Sequence, residues 1–160
     1  MIVVDVNVLA YLWIPGEMTA LAEAALARDA HWVSAILWRS EFRNILAGYL
    51  RRGDLDQVAV DRCLDGAESQ LTGYEYLVPS GLVMKKVAAS TCSAYDCEYV
   101  ALAEDLNATL VTSDRQILAQ FPALTTNLKA FAGGAQQAFQ ATLDSAPERK
   151  RSHARNALHR

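Results

Sequence analysis

Apolar positions along the chain follow two rhythms. Short apolar runs (MIVVD, HWVSA, YEYLVP, TLVTSD) read as strands, the first suited to burial and the third closed by Pro79. Between them, TALAEAALARD, LWRSEFRNILAGYLRRG, DLDQVAVDRCLDGAESQL and SAYDCEYVALAEDLN carry apolar residues at helical spacing, and Gly53 stops the second of these. GLVMKKVAAS and RQILAQF read as shorter helices, and TTNLKAF as a last edge strand. Strands alternating with helices of this length predict an α/β fold, an α/β/α sandwich around a mainly parallel sheet. No internal repeat interrupts the pattern.

Composition keeps this picture globular. Apolar residues make up 52% of the 160 residues and charged residues 21%, a balance that suits a packed core. Charge divides the chain in two. Residues 1–132 carry 10 basic and 16 acidic side chains, whereas residues 133–160 carry five basic and two acidic. Gly133-Gly134 marks the expected boundary between an acidic body, residues 1–132, and a C-terminal extension, residues 133–160. In that extension AQQAFQATL favours a short helix, and ERKRSHAR has too little to bury to be other than mobile. Cys63, Cys92 and Cys97 are odd in number and follow no metal-ligand spacing, which points to a reducing cytoplasm. No run reaches the roughly 18 apolar residues of a membrane helix, and Asp5 interrupts the apolar start where a signal peptide would continue.

The candidate chemistry is acidic. Asp5 and Asp114 fall at the carboxyl ends of strands, where open α/β sheets gather their ligands. Each could equally cap the helix that follows. Asp96 ends the S-x-x-D pattern Ser93-Ala-Tyr-Asp96 of a capping box, which also places it in a first helical turn facing the strand ends. Glu98, two residues on, points away and is expected to be solvated. Glu41 has Leu37, Trp38 and Ile45 as its helical neighbours, so it needs a partner, either a metal ion or an arginine from elsewhere. Four carboxylates at one end of a sheet repel one another unless cations neutralise them. All-oxygen ligands suit Mg²⁺ or Mn²⁺, and such ions support phosphodiester hydrolysis.

The pieces VVDVNVL, SEFRNIL, SAYDCEYVALAE and TLVTSDRQIL, in this order and spacing over roughly residues 1–131, resemble the PIN domain, and specifically the VapC-type toxin ribonucleases of bacterial toxin–antitoxin pairs. The resemblance implies a PIN-like fold, Mg²⁺- or Mn²⁺-dependent cleavage of RNA, a homodimer, and a small antitoxin that buries the site. It implies Asp5, Glu41, Asp96 and Asp114 as the acidic metal set, with Thr112 and Asn7 supporting it through hydrogen bonds, and it transfers no role to Glu98. The route it implies is in-line attack of an activated water on phosphorus, leaving a 5′-phosphate and a 3′-hydroxyl. His31 precedes a strand, and His153 and His159 lie in the extension, so no histidine stands ready to activate a 2′-hydroxyl instead.

Three other classes compete. A haloacid-dehalogenase-type phosphatase needs a second Asp where this chain has Asn7, and a receiver domain needs an Asp at the end of YLVPSG. A catalytically silent PIN-like module that binds RNA or a partner is the remaining alternative. Arg39, Arg43, Arg51, Arg52 and Arg115 are expected around the mouth of the site as phosphate contacts. Trp38, Phe42 and Tyr49 exceed what one core-facing stripe requires and are expected to meet a partner.

Overall fold

A computed structural model describes residues 1–133. The expected helix at 135–143, the basic run at 148–155 and the far side of the Gly133-Gly134 boundary lie outside the described residues. In chain order the elements are β1 (Ile2–Val4), α1 (Val6–Trp13), α2 (Thr19–Arg28), β2 (Trp32–Ala35), α3 (Trp38–Arg52) and α4 (Gln57–Leu71). They continue with β3 (Glu75–Tyr76), α5 (Ser80–Ala88), α6 (Ala94–Asp105), β4 (Thr109–Thr112), α7 (Arg115–Gln120) and β5 (Thr125–Asn127). All strand pairs are parallel, in the order β3-β2-β1-β4-β5.

The side-chain alternation of β1 creates the three layers. Ile2 and Val4 point to one face, where they pack with Leu9, Phe42, Leu46 and Leu71 of α1, α3 and α4. Val3 points to the other, among Val33, Leu110, Val100 and Ile117, the last two from α6 and α7. Both faces of the sheet are therefore covered, which is why its strands are continuously apolar. After β1 the chain winds outward through β2 to β3, then returns to place β4 on the other side of β1. The switch point thus falls between β1 and β4, where ligands collect in sheets of this kind. No helix among the described residues is long and apolar enough to cross a membrane.

Local chemistry explains where the sequence pattern and the structure part. VNVLAYLW forms α1, an element the pattern does not separate, because its apolar residues run on from the strand before it. Asp5 stops the strand by accepting a hydrogen bond from the Val8 N–H at 2.9 Å, which opens the helix. Only Glu75–Tyr76 of YEYLVP pairs as a strand, and Leu77 is 85% exposed. TTNLKAF is a strand only to Asn127, whose side chain accepts from the Lys129 N–H at 2.8 Å and starts a helical turn over 128–133.

Trp38 and Phe42 correct the expectation of a partner surface: they are 1% and 0% exposed, with ring centroids 5.9 Å apart in the core. Tyr49 alone of the three remains half-buried. The wide apolar face of α3 is needed because the helix packs against both α1 and α4.

Gly66 on α4 marks a close approach of a different kind. A Cβ there would fall 2.2 Å from the Trp13 ring, which the Gln70 side-chain oxygen holds by accepting from Trp13 Nε1 at 2.8 Å. Gly66→Ala is expected to lower stability by about 1–3 kcal/mol through overpacking, although alanine is by itself the better helix former by about 1 kcal/mol. A chemical-denaturation midpoint above that of the wild type would show that Trp13 moves aside without cost.

Candidate active site

The end of β1 and the end of β4 are tied together by one hydroxyl. Thr112, fully buried, donates from Oγ1 to Asp5 Oδ2 and accepts from the Asp114 N–H at 2.9 Å. Asp5 is itself 2% exposed, and its two carboxylate oxygens are served by Thr112 and by the Val8 N–H. Asn7 is not one of its donors. It lines a groove with Tyr11, Ile14, Ile45 and Tyr49.

Asp114 caps α7, with Oδ1 accepting from the N–H groups of Gln116 and Ile117 at 2.8 and 2.9 Å. Asp96 closes the expected capping box: its Oδ2 accepts from the Ser93 N–H at 3.0 Å and the Ser93 hydroxyl at 2.7 Å, while its own N–H donates to Ser93 Oγ at 3.1 Å. The capping readings of Asp5, Asp96 and Asp114 are therefore all realised. They use one oxygen of Asp96 and one of Asp114, so among the described residues Asp96 Oδ1 and Asp114 Oδ2 have no hydrogen-bond donor.

Glu41 has a partner that the sequence reading did not name. The hydroxyl of Tyr99, on α6, donates to Glu41 Oε2 at 2.5 Å. Tyr99 stands one helical turn after Asp96, and that spacing on the face of α6 toward the sheet is the signal that could have found it. Among the described residues no arginine pairs with Glu41. Arg39 forms ion pairs of 2.6 Å with both Glu68 and Glu75, bridging α3 to α4 and β3, which corrects its expected place at the mouth.

Electrostatics link the carboxylates into one group. Burial raises the Asp5 carboxyl from 3.8 to about 6, the Thr112 and Val8 hydrogen bonds oppose that rise, and the negative charges of Asp114 and Glu41 add to it. Burial also raises the Glu41 carboxyl; the Tyr99 hydrogen bond opposes this and the charge of Asp96 adds to it. Glu98 is half-buried rather than solvated, and its carboxyl is raised first by burial and then by Glu41. The Tyr99 phenol is pushed upward by burial, then by Glu41, Asp5 and Glu98. Among the described residues, the charges that shift Asp5 and Glu41 are negative.

The donor set tests whether a cation fits. Among the described residues no three Asp, Glu, His or Cys side chains converge tightly enough to hold an ion unaided. Hard divalent ions of the Mg²⁺ type do not require such a cage: they keep several waters and take one or two carboxylates. Asp5, Glu41, Asp96 and Asp114 offer oxygen ligands only, Asp5 and Glu41 feeling the negative charge of the others, and fit an ion of that kind. The three cysteines are free and buried, and burial raises each thiol, which disfavours the thiolate that a metal would need.

Comparison with known proteins identifies the family and the fold. The family model described as PIN domain matches residues 2–123. The chain belongs to the PIN domain family. A relative named Ribonuclease VapC3, from Pyrobaculum aerophilum, is 30% identical over 130 residues, 78% of this chain and 98% of that protein. A crystal structure of a Pyrobaculum aerophilum protein superposes with a TM-score of 0.68 at 22% identity, over 84% of this chain and 88% of that one. That of FitAcB from Neisseria gonorrhoeae does so with a TM-score of 0.65 at 15% identity, over 80% and 98%. These two likenesses establish the fold, an α/β/α PIN-like sandwich.

Proposed function

We propose that this PIN-domain protein is a divalent-metal-dependent endoribonuclease, using Mg²⁺ or Mn²⁺, and the toxin of a toxin–antitoxin pair. The observation that carries the reading is the gathering of four carboxylates on separate elements, coupled to one another by charge. The name of the 30%-identical relative, Ribonuclease VapC3, supports RNA as the substrate.

In this reading Asp5, Glu41, Asp96 and Asp114 hold the ion, which when bound neutralises phosphate charge and makes a water more acidic. The chain's own work is positioning. Thr112 fixes the Asp5 carboxylate from β4, and the same hydroxyl sets the Asp114 backbone, so the two strand ends keep one spacing. The Ser93 box presents the remaining oxygen of Asp96. Tyr99 holds Glu41 from the far side of the sheet's end, a role for a partner of a metal ligand that commonly matters 10–100-fold.

Removing that hydroxyl is a clean probe. Tyr99→Phe is expected to weaken Mn²⁺ binding by roughly 10–100-fold while keeping the fold, because the ring stays in the same core. An Mn²⁺ titration followed by electron paramagnetic resonance checks this, and equal affinities would leave Tyr99 a packing residue only.

The VapC resemblance adds a homodimer and a small antitoxin as partners, in a cytoplasm that keeps the three thiols reduced. Tyr49 faces a groove of about 380 Å³ between α1, the α1–α2 turn and α3, large enough for a partner's side chains. The test of the function is direct. Purified protein given single-stranded RNA is expected to cut it with Mg²⁺ or Mn²⁺ and to leave it intact in a chelator. RNA that stayed whole with every metal would overturn the proposal.

A further inference from the structure

One aromatic side chain beside the carboxylates has no place in the core. Tyr95 is 62% exposed on the first turn of α6, immediately before Asp96. It faces a cleft of about 310 Å³ whose other lining residues are Leu37, Ser40, Glu41 and Asn44. Those four, at 37, 40, 41 and 44, form one face of α3 and the turn that enters it. Glu41 belongs both to this cleft and to the acidic group, so the cleft opens directly beside the candidate active site.

We infer that this cleft is a nucleobase subsite: Tyr95 stacks on one unpaired base of the RNA next to the cut, and the Asn44 amide hydrogen-bonds that base's edge. The inference rests on the ribonuclease reading and extends it to how the strand is held. Bases of single-stranded RNA are commonly taken up on aromatic faces, a contact that tolerates sequence because every base has one. Tyr95 is well built for it. The capping box on either side, Ser93 and Asp96, fixes its backbone, so only two side-chain torsions remain to be ordered. Across the cleft, the exposed Asn44 amide carries both donors and an acceptor, and so can read an edge where the two lie side by side.

Charge favours the same occupant. Arg43, exposed on α3, donates from Nε to the Arg39 carbonyl at 2.9 Å and from Nη2 to Ser40 Oγ at 3.3 Å. Its cation is thereby held at the rim of the cleft, where an RNA backbone would pass. An apolar peptide side chain would suit the cleft less well, because it would bury Glu41 without offering a donor. A base edge is polar and can be met by Ser40 and Asn44 of the cleft, leaving Glu41 to the ion.

The test uses the full chain with Mn²⁺ and single-stranded RNA oligonucleotides, some carrying one abasic residue at successive positions around the mapped cut. Tyr95→Ala is expected to raise KM roughly 5- to 150-fold, the range for losing one base–aromatic stack, with kcat and Mn²⁺ affinity unchanged. Tyr95→Phe should restore the wild-type value. For the wild type, an abasic residue at one position next to the cut should cost a similar factor. In Tyr95→Ala the same residue should cost nothing further, the non-additivity that marks a direct contact. Asn44→Ala should broaden base preference at that position alone. If abasic residues cost the two proteins alike at every position, the subsite is wrong while the nuclease stands. If Tyr95→Ala altered self-association and left KM untouched, the tyrosine is a protein contact and the inference falls. If the wild type cut no RNA at all, the ribonuclease reading would fall first and take the subsite with it.

Discussion

Asp5→Asn is expected to abolish metal-dependent RNA cleavage, by a hundredfold or more, and at the same time to make the metal-free protein more stable at pH 7. The first effect follows if Asp5 holds the ion, since losing even a hydrogen-bond partner of a metal ligand costs roughly 10–100-fold. The second follows from burial. The Asp5 carboxyl is raised from 3.8 to about 6 in the fold, so the protonated form is the one the fold prefers. Its contribution is fully present below pH 3.8 and is lost as pH rises through about 6. At about 1.4 kcal/mol per pH unit, that loss is on the order of 3 kcal/mol at pH 7. Asparagine carries no charge and so escapes it. It also caps helices about as well as aspartate, so the start of α1 is preserved. Saturating Mn²⁺ should reverse the order, because only the wild type gains stability by binding. Thermal melts of both proteins at pH 4 and pH 7, with and without Mn²⁺, read all of this. A variant that melted lower than the wild type at pH 7 without metal, with neither protein responding to Mn²⁺, would reduce Asp5 to a helix cap.

Phe42→Ala is expected to cost about 3–5 kcal/mol of stability, the usual range for emptying a buried phenylalanine site. The ring is fully buried between α3 and the layers of α1 and α4, tilted against Trp38. Trp38, against which the ring lies, is held at Nε1 by donating to the Glu75 carboxylate at 2.7 Å and so is hindered from collapsing into the space. Tyr49→Ala, by contrast, removes a half-buried residue at the rim of the groove and should cost far less. Urea denaturation of the two variants separates a core role from a docking role. Equal midpoints for Phe42→Ala and the wild type, with a partner lost, would return Phe42 to the surface.

The parts of this site that were legible in the sequence are the local ones. Asp5, Asp96 and Asp114 sit where short-range capping patterns put them, and those patterns span three residues. Thr112 and Asp5 are 107 residues apart, and Tyr99 and Glu41 are 58 apart. Local spacing joins neither pair: the PIN resemblance alone pointed to Thr112, and the partnership of Tyr99 with Glu41 forms only once α6 and α3 are brought together by the fold. Arg39 failed for the same reason: its acidic partners, Glu68 and Glu75, come from α4 and β3. The helix α1 was lost because eight mostly apolar residues following an apolar strand leave no change of rhythm to detect. The aromatic surplus of α3 was misread as a surface, because a helix wedged between two others buries more than one stripe.

The chemistry of the cut ends tests the central claim most directly. Among the described residues the one histidine, His31, lies edge-on against Tyr74, so water and not the ribose 2′-hydroxyl should be the nucleophile. Purified protein incubated with a 5′-labelled single-stranded RNA and Mn²⁺ should therefore leave fragments with a 3′-hydroxyl and a 5′-phosphate, and none in a chelator. Fragments ending in a 2′,3′-cyclic phosphate, or cleavage that persisted in the chelator, would contradict the account.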